Sequence, residues 1–409
     1  MKVKRKSNIA SQLFLRELGV NLPRDLKEWK KTERVCSLQL SNHKTFESVH
    51  SGGVNSLSLS PDRYGHRYLL SASSRSSIAI HDLTRQHGRT CKVIGKITKA
   101  LPAMHQLSVE TVSWYPYDSG LFISSAVDGC VKIWDTNLLR LAESFTLQDK
   151  VYKHQMSPLV TSHALIAAGC ADSRVHLINL KSGSATHILK GHDEPVITVA
   201  WSTREPYLLA SGGNDNRVLL WDIRHASGPM LALDQHGGKQ SSGLSRHKTA
   251  HNGHVNSMCF TPNGLHLVTY GTDDRVRLWD VATGRNCFVN YGRIANHCNK
   301  SVQIAISDTS KELAFLPTLT KIIAVDIHTG KHVMKHKGAY NVINCCIYEE
   351  NNQELYTGSN DTFLLAWQPH KKVTRNDTLK VHRIDRKRRR PISPSNYEDL
   401  WSSDEDYDL

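Results

Sequence analysis

No stretch of the 409-residue chain approaches the roughly 18 consecutive apolar residues that a membrane-crossing helix needs. The first residues, MKVKRKSNIASQLFLREL, open with positive charge as a signal peptide does. Their apolar stretch is short and is broken by Arg16 and Glu17, so secretion is not expected. Nine cysteines are scattered without any C-x-x-C spacing, and no cluster of Cys and His stands at zinc-ligand spacing. An odd, unpatterned set in a long chain reads as reduced thiols of an intracellular protein, and Cys130, Cys170, Cys259, Cys345 and Cys346 fall at strand or turn positions. Nor is there a glycine-rich phosphate loop. These absences leave no expected metal, no cofactor and no small-molecule substrate.

What is present repeats. Ile133–Asp135 reads IWD, Leu220–Asp222 and Leu278–Asp280 both read LWD, and Ala366–Gln368 reads AWQ. Six residues before each tryptophan stands an aspartate: Asp128, Asp215, Asp273 and Asp361. Four residues before each aspartate stands a hydroxyl: Ser124, Ser211, Thr269 and Thr357. His81, Ile178 and Val325 fill the tryptophan slot in weaker copies. Slots at 81, 134, 178, 221, 279, 325 and 367 lie about 42 to 58 residues apart, against roughly 40–45 for WD repeats. The chain is therefore expected to be all-β, a seven-bladed WD-repeat propeller whose radially stacked sheets leave only short edges.

About 28 to 31 residues upstream of a slot comes a histidine, with an apolar residue four positions on: His50 with Val54, His105 with Val109, His192 with Val196, His251 with Val255. The seventh repeat has Gly338-Ala339 there instead. In the fourth, His192, Ser211, Asp215 and Trp221 resemble parts of a Ser-His-Asp hydrolase. A catalytic triad occurs once per site, whereas this set recurs as His105, Ser124, Asp128, Trp134, as His251, Thr269, Asp273, Trp279, and in part as Thr357, Asp361, Trp367. Recurrence points to buried structural tetrads whose polar groups satisfy one another, not to an enzyme.

The propeller is expected over 35–369, flanked by an N-terminal segment, 1–34, and a tail, 370–409. The N-terminal segment reads as helix, break, helix. Ser7 caps the first helix, Gly19 ends it, and a second runs from Arg24 to about Glu33. Leu13, Phe14, Leu18 and Trp29 offer more apolar surface than so charged a segment needs for itself. It serves either as a hook for a partner's groove or as packing on the rim of the ring. The strand 35–40, VCSLQL, has no partner in its own repeat and is expected to supply the outer strand of the seventh blade.

Charge concentrates at the ends of a chain of formal net charge +14. The tail is expected to be disordered, basic and then acidic. Arg386, Lys387, Arg388, Arg389 and Arg390 form either a nuclear-import cluster or merely solvated charge. Ser402 and Ser403, each followed three residues on by an acid, fit acidophilic-kinase acceptors. Interleaved aromatics of a single-strand-binding platform are missing beside both basic runs, so direct nucleic-acid binding is not expected.

Several stretches, 108–137, 182–202, 216–228, 231–239, 251–280 and 288–293, with the end EDLWSSDED and the helix-break-helix, resemble the Cockayne syndrome group A family. The likeness runs through all seven repeats and implies an orthologue, although the basic insert Arg383–Arg390 departs from that family. The resemblance implies a nuclear substrate receptor of a cullin-RING ubiquitin ligase of the cullin-4 type, working in transcription-coupled nucleotide-excision repair. It implies three partners: the large subunit of the damaged-DNA-binding complex as ligase adaptor, the Cockayne syndrome group B ATPase, and the machinery at stalled RNA polymerase II. Receptors of that adaptor commonly carry W-D-x-R at a blade end, and Trp221-Asp222-Ile223-Arg224 is the chain's one match. Adaptor contact is thus expected at Leu13, Phe14, Leu18, Trp29 and Arg224. The alternatives are a chromatin or histone-binding scaffold without ligase attachment, and a hydrolase with its site in the central channel. Thr84–Ala103 and Ala226–Ala250 read as loops long enough for recognition.

Overall fold

Seven antiparallel sheets follow one another along the chain, and the first strand of each packs against the first strand of a neighbour, blade seven returning onto blade one. In the computed structural model residues 23–61, 67–87, 89–159, 164–180, 182–225, 227–237 and 248–370 are described. The ring is a seven-bladed propeller. It lies within the first of the chain's two units, Met1–Pro369, while nearly all of the second, His370–Leu409, lies outside the described residues.

The repeat spacing maps directly onto strands. The tryptophan slots sit in the third strand of their blades: His81 in Ile78–His87, Trp134 in Cys130–Asp135, Ile178 in Arg174–Asn179, Trp221 in Val218–Asp222, Trp279 in Val276–Asp280, Val325 in Lys321–Asp326 and Trp367 in Leu364–Pro369. The hydroxyl positions sit in the second strands. Between second and third strands, the residue after the tetrad aspartate takes a left-handed backbone: Gly129, Ser173, Asn216, Asp274 and Thr362, each with φ between 59° and 79°. Such a turn costs a side chain steric energy. The aspartate offsets it by accepting the N–H two residues on, as Asp128 does from Cys130 (3.0 Å), Asp215 from Arg217 (3.1 Å) and Asp273 from Arg275 (3.2 Å).

Blades differ in their outer strands. Blade one has the long hairpin Ile78–His87 and Thr90–Ile97, to which Thr45–Phe46 adds in parallel. The stretch Thr84–Ala103 is therefore largely paired strand and not a loop. Blade five has three strands among the described residues. Blade seven, Ile343–Glu349, Glu354–Ser359 and Leu364–Pro369, is completed by Leu38–Leu40 running antiparallel to its last strand. That closing strand is shorter than the expected 35–40. The helix before it, α1, spans Pro23–Val35, two residues beyond the expected end at Glu33. Val35 and Leu38 are both about 1% exposed and pack with Phe315, Met334, Ile343 and Trp367 between blades six and seven.

Side chains lock neighbouring blades at the centre. The Asn55 amide donates to the Val109 carbonyl (2.9 Å), Asn344 to that of Val54 (2.9 Å), and the Trp201 indole to that of Gln155 (3.0 Å). Gln303, just before blade six, bonds both backbone groups of Leu57 in blade one.

Candidate interaction face

The recurrent polar sets form closed chains. In blade two the Trp134 indole donates to Ser124 Oγ (2.8 Å), which pairs with His105 Nε2 (2.8 Å), and Nδ1 meets Asp128 (3.0 Å). Blade four repeats this through Trp221, Ser211, His192 and Asp215 at 2.7, 2.7 and 2.8 Å. Blade five repeats it through Trp279, Thr269, His251 and Asp273 at 2.9, 2.8 and 2.9 Å. In blade seven Trp367 donates to Thr357 (3.1 Å), and Asp361, with Ala339 in the histidine's place, accepts the N–H groups of Tyr340 and Asn341. Burial alone would raise the pKa of Asp215, but the His192 hydrogen bond and charge, with two backbone N–H groups, hold it below the usual carboxylate range. Asp128 and Asp273 are held down in the same way. A hydroxyl that already serves an indole and an imaginable base inside a closed chain presents no nucleophile to solvent. These groups position backbone.

Blade one runs a charge-free version. His50 Nε2 and His81 Nε2 share Ser71 Oγ (2.8 and 2.9 Å), and Ser77 Oγ takes the place of a carboxylate on His50 Nδ1 (2.7 Å). Blade three has lost the set: Ala168 and Ile178 replace hydroxyl and tryptophan, and Asp172 is met by His176 Nε2 (2.8 Å) from its own hairpin. Cys170 stands beside them, so three metal-ligating groups come together where none was expected from sequence. The thiol is fully buried, and desolvation pushes its pKa far above an ordinary cysteine's. It fills the position that is glycine beside the His–Asp pairs of blades four and five, Gly213 and Gly271. Packing after loss of the tetrad accounts for the group.

The face of the ring that carries the turns between first and second and between third and fourth strands carries two of the expected contact residues, on different blades. The end of α1 lies there against blades six and seven: Thr32 Oγ1 is 3.1 Å from Ser310 Oγ, and the Arg34 guanidinium donates to the Asn352 carbonyl (3.0 Å). Trp29 is 36% exposed on that helix. Arg224 follows the third strand of blade four on the same face. Its Nε and Nη2 embrace the Asp222 carboxylate (2.9 and 2.6 Å), and its Cζ lies 4.9 Å from the centre of the Tyr207 ring. The ion pair lowers the Asp222 pKa and raises that of Arg224. The Arg224 side chain is still 60% exposed, held in one orientation and presented to solvent. Leu13, Phe14 and Leu18, the import cluster Arg386–Arg390, and Ser402 and Ser403 all lie outside the described residues.

The central channel holds a cavity of about 330 Å³ lined by first strands, including Glu110, Lys153 and His154. Both His154 nitrogens are taken, by Ser113 (2.8 Å) and Ser125 (2.7 Å), and burial drives its pKa to about 3. His154 thus joins blades two and three. Sequence reading missed it, because it sits outside the tetrad spacing.

Comparison with known proteins agrees with this geometry. The WD domain, G-beta repeat family matches residues 97–135, 183–222 and 243–280, which include the third strands of blades two, four and five. The chain is 34% identical over 412 aligned residues to WD repeat-containing protein ATCSA-1 of Arabidopsis thaliana, covering 83% of this chain and 90% of that protein. The chain belongs to the WD-repeat family. A shorter WD-repeat likeness, 28% over 198 residues and 46% of each chain, is to the ribosome biogenesis protein WDR12 homologs of Drosophila yakuba and Drosophila persimilis. WD-repeat propellers are typically non-catalytic scaffolds, and none of these matches indicates an enzyme family.

Proposed function

We propose that this WD-repeat protein is an orthologue of the Cockayne syndrome group A family. On this reading it is the nuclear substrate-recognition subunit of a cullin-4-type cullin-RING ubiquitin ligase in transcription-coupled nucleotide-excision repair. The N-terminal segment and Arg224 contact the adaptor, the large subunit of the damaged-DNA-binding complex. The propeller presents its targets, the Cockayne syndrome group B ATPase and proteins at stalled RNA polymerase II. The observation that carries the reading is the shared face: α1 with exposed Trp29, and the one W-D-x-R arginine held outward by Asp222. Likeness to ATCSA-1 along most of the chain supports an equivalent protein rather than a borrowed repeat. Deleting residues 1–33 and testing co-purification with the adaptor checks it. The proposal expects loss of the adaptor with a folded ring; retained adaptor contradicts it.

A second reading, a chromatin or histone-binding scaffold without ligase attachment, draws on the same helix. The bonds from Thr32 to Ser310 and from Arg34 to Asn352 seat the end of α1 on the ring, as a purely structural helix would be seated. On that reading the deletion lowers the melting temperature and no adaptor co-purifies with the full chain.

A further inference from the structure

Blade one inverts a charge that five of the six other blades keep. The turn position filled by Asp128, Asp172, Asp215, Asp273 and Asp361 in blades two, three, four, five and seven holds Arg75 in blade one. No carboxylate is needed there, because His50 is satisfied by hydroxyls and burial, with the charge of Lys96 second, lowers its pKa to about 4. The turn folds without the aspartate through serines: Ser77 N–H donates to Ser73 Oγ, and the two hydroxyls stand 2.7 Å apart.

Arg75 shares an open cleft of about 460 Å³ with Lys96 and Lys99, and Ser51, Ser77 and Thr98 add hydroxyls to its wall. Among the described residues no carboxylate lines it, and none of the three cations forms an ion pair. All three are exposed. Ser76, next to Arg75, donates its hydroxyl to the carbonyl of Leu107, a residue that is 51% exposed. Three unpaired cations around one concavity are self-repelling, a cost that a multivalent anion removes.

We propose that this cleft binds a phosphorylated serine or threonine of a partner protein, with Leu107 contacting an apolar residue beside it. A phosphate dianion with three acceptor oxygens matches an arginine fork, two ammonium groups and flanking hydroxyls better than a single carboxylate does. A nucleic-acid backbone fits less well, because no aromatic side chain among the described residues lines the cleft for base stacking. The site does not depend on adaptor binding, and neither reading rests on the other.

The test uses the full chain and fluorescence anisotropy with one synthetic peptide made in three forms: serine, phosphoserine or glutamate at its centre, a leucine two residues away. Binding of the phosphoserine form at least about tenfold tighter than the other two is expected. Arg75→Asp, which restores the residue that five other blades carry, and Lys99→Glu should each weaken it about tenfold or more without changing the melting temperature. Lys99→Glu decides the matter should Arg75→Asp not fold. Arg174→Glu on blade three should change nothing. The proposal is overturned by absent phosphopeptide binding, by equal binding of the glutamate form, by binding that ignores both substitutions, or by tighter Arg75-dependent binding of single-stranded DNA.

Discussion

Leu40 pairs across the sheet with Trp367, so residues 327 apart in sequence lie side by side in blade seven. Three residues, Leu38–Leu40, cover the edge of Leu364–Pro369, and Leu38 and Val35 fill the core between blades six and seven. An uncovered edge is a template for pairing with another chain. A chain beginning at Ser41 should therefore self-associate, seen as mass above monomer in light scattering. Leu38→Ala should cost about 2–5 kcal/mol, the range for a buried leucine, measured by denaturant unfolding. A monomeric truncation with unchanged melting would contradict closure by this strand.

Trp221 is fully buried, and its ring packs so closely on Gly191 that a Cβ there would come within 2.9 Å. Trp221→Ala should destabilise by about 3–5 kcal/mol and leave Ser211 and His192 without the indole that completes their chain. The check is thermal melting beside partner binding. A stable variant that lost only binding would make the tetrads functional surface.

Stability should fall below neutral pH because of histidines buried neutral. Burial, aided by neighbouring charge, lowers the pKa of His50 to about 4 and those of His81 and His154 to about 3. Unfolded histidine titrates near 6.5. Below that pH the unfolded chain takes up protons that the native ring refuses, so stability present above about 6.5 is lost as pH falls toward about 4. Each histidine contributes about 1.4 kcal/mol per pH unit in that window. The depressed Asp128 and Asp215 work lower: their contribution is complete above about 3.9 and is lost only as pH drops through their native values. Unfolding measured from pH 7 to 5 should show the loss, with a shallower slope in His154→Gln. A flat profile would contradict neutral burial.

Gln303 accepts from Leu57 N–H at 3.0 Å and donates to Leu57 O at 2.8 Å. Gln303→Leu keeps the bulk and removes both bonds, leaving two backbone groups that need water at the channel. A loss of about 1–3 kcal/mol is expected, with amide exchange rising first at Leu57. Unchanged exchange there would mean that water replaces the amide without cost.

What was legible in the sequence was what repeats. Asp215 and Trp221 could be placed because one strand-turn-strand geometry demands the same spacing in blades two, five and seven. Single, long-range contacts were not legible. Gln303 and His154 join blades through bonds found once, so no periodicity marks them. The boundary between α1 and the closing strand was misplaced because Val35 suits either element; it ends the helix and packs in the cluster with Phe315 and Met334. Thr84–Ala103 reads as a loop by its length, although Cys91, Val93, Gly95 and Ile97 alternate with exposed Lys92, Ile94 and Lys96 in a strand whose backbone pairs. Arg224 was found by its motif, for which a surface pair of Asp222 with Arg224 was the alternative to partner contact, and the structure shows that pair formed.

The central claim is that the N-terminal segment and Arg224 grip one adaptor while the ring stands independently. Titration of the purified adaptor into full-length protein, Leu18→Asp and Arg224→Glu, with melting recorded on the same samples, tests it most directly. A charge forced into an apolar groove should cost at least about 2 kcal/mol, more than tenfold in affinity. The account predicts that both substitutions weaken adaptor binding and that both proteins melt as the parent does. Normal adaptor affinity in both would contradict it and leave the chromatin-scaffold reading in its place.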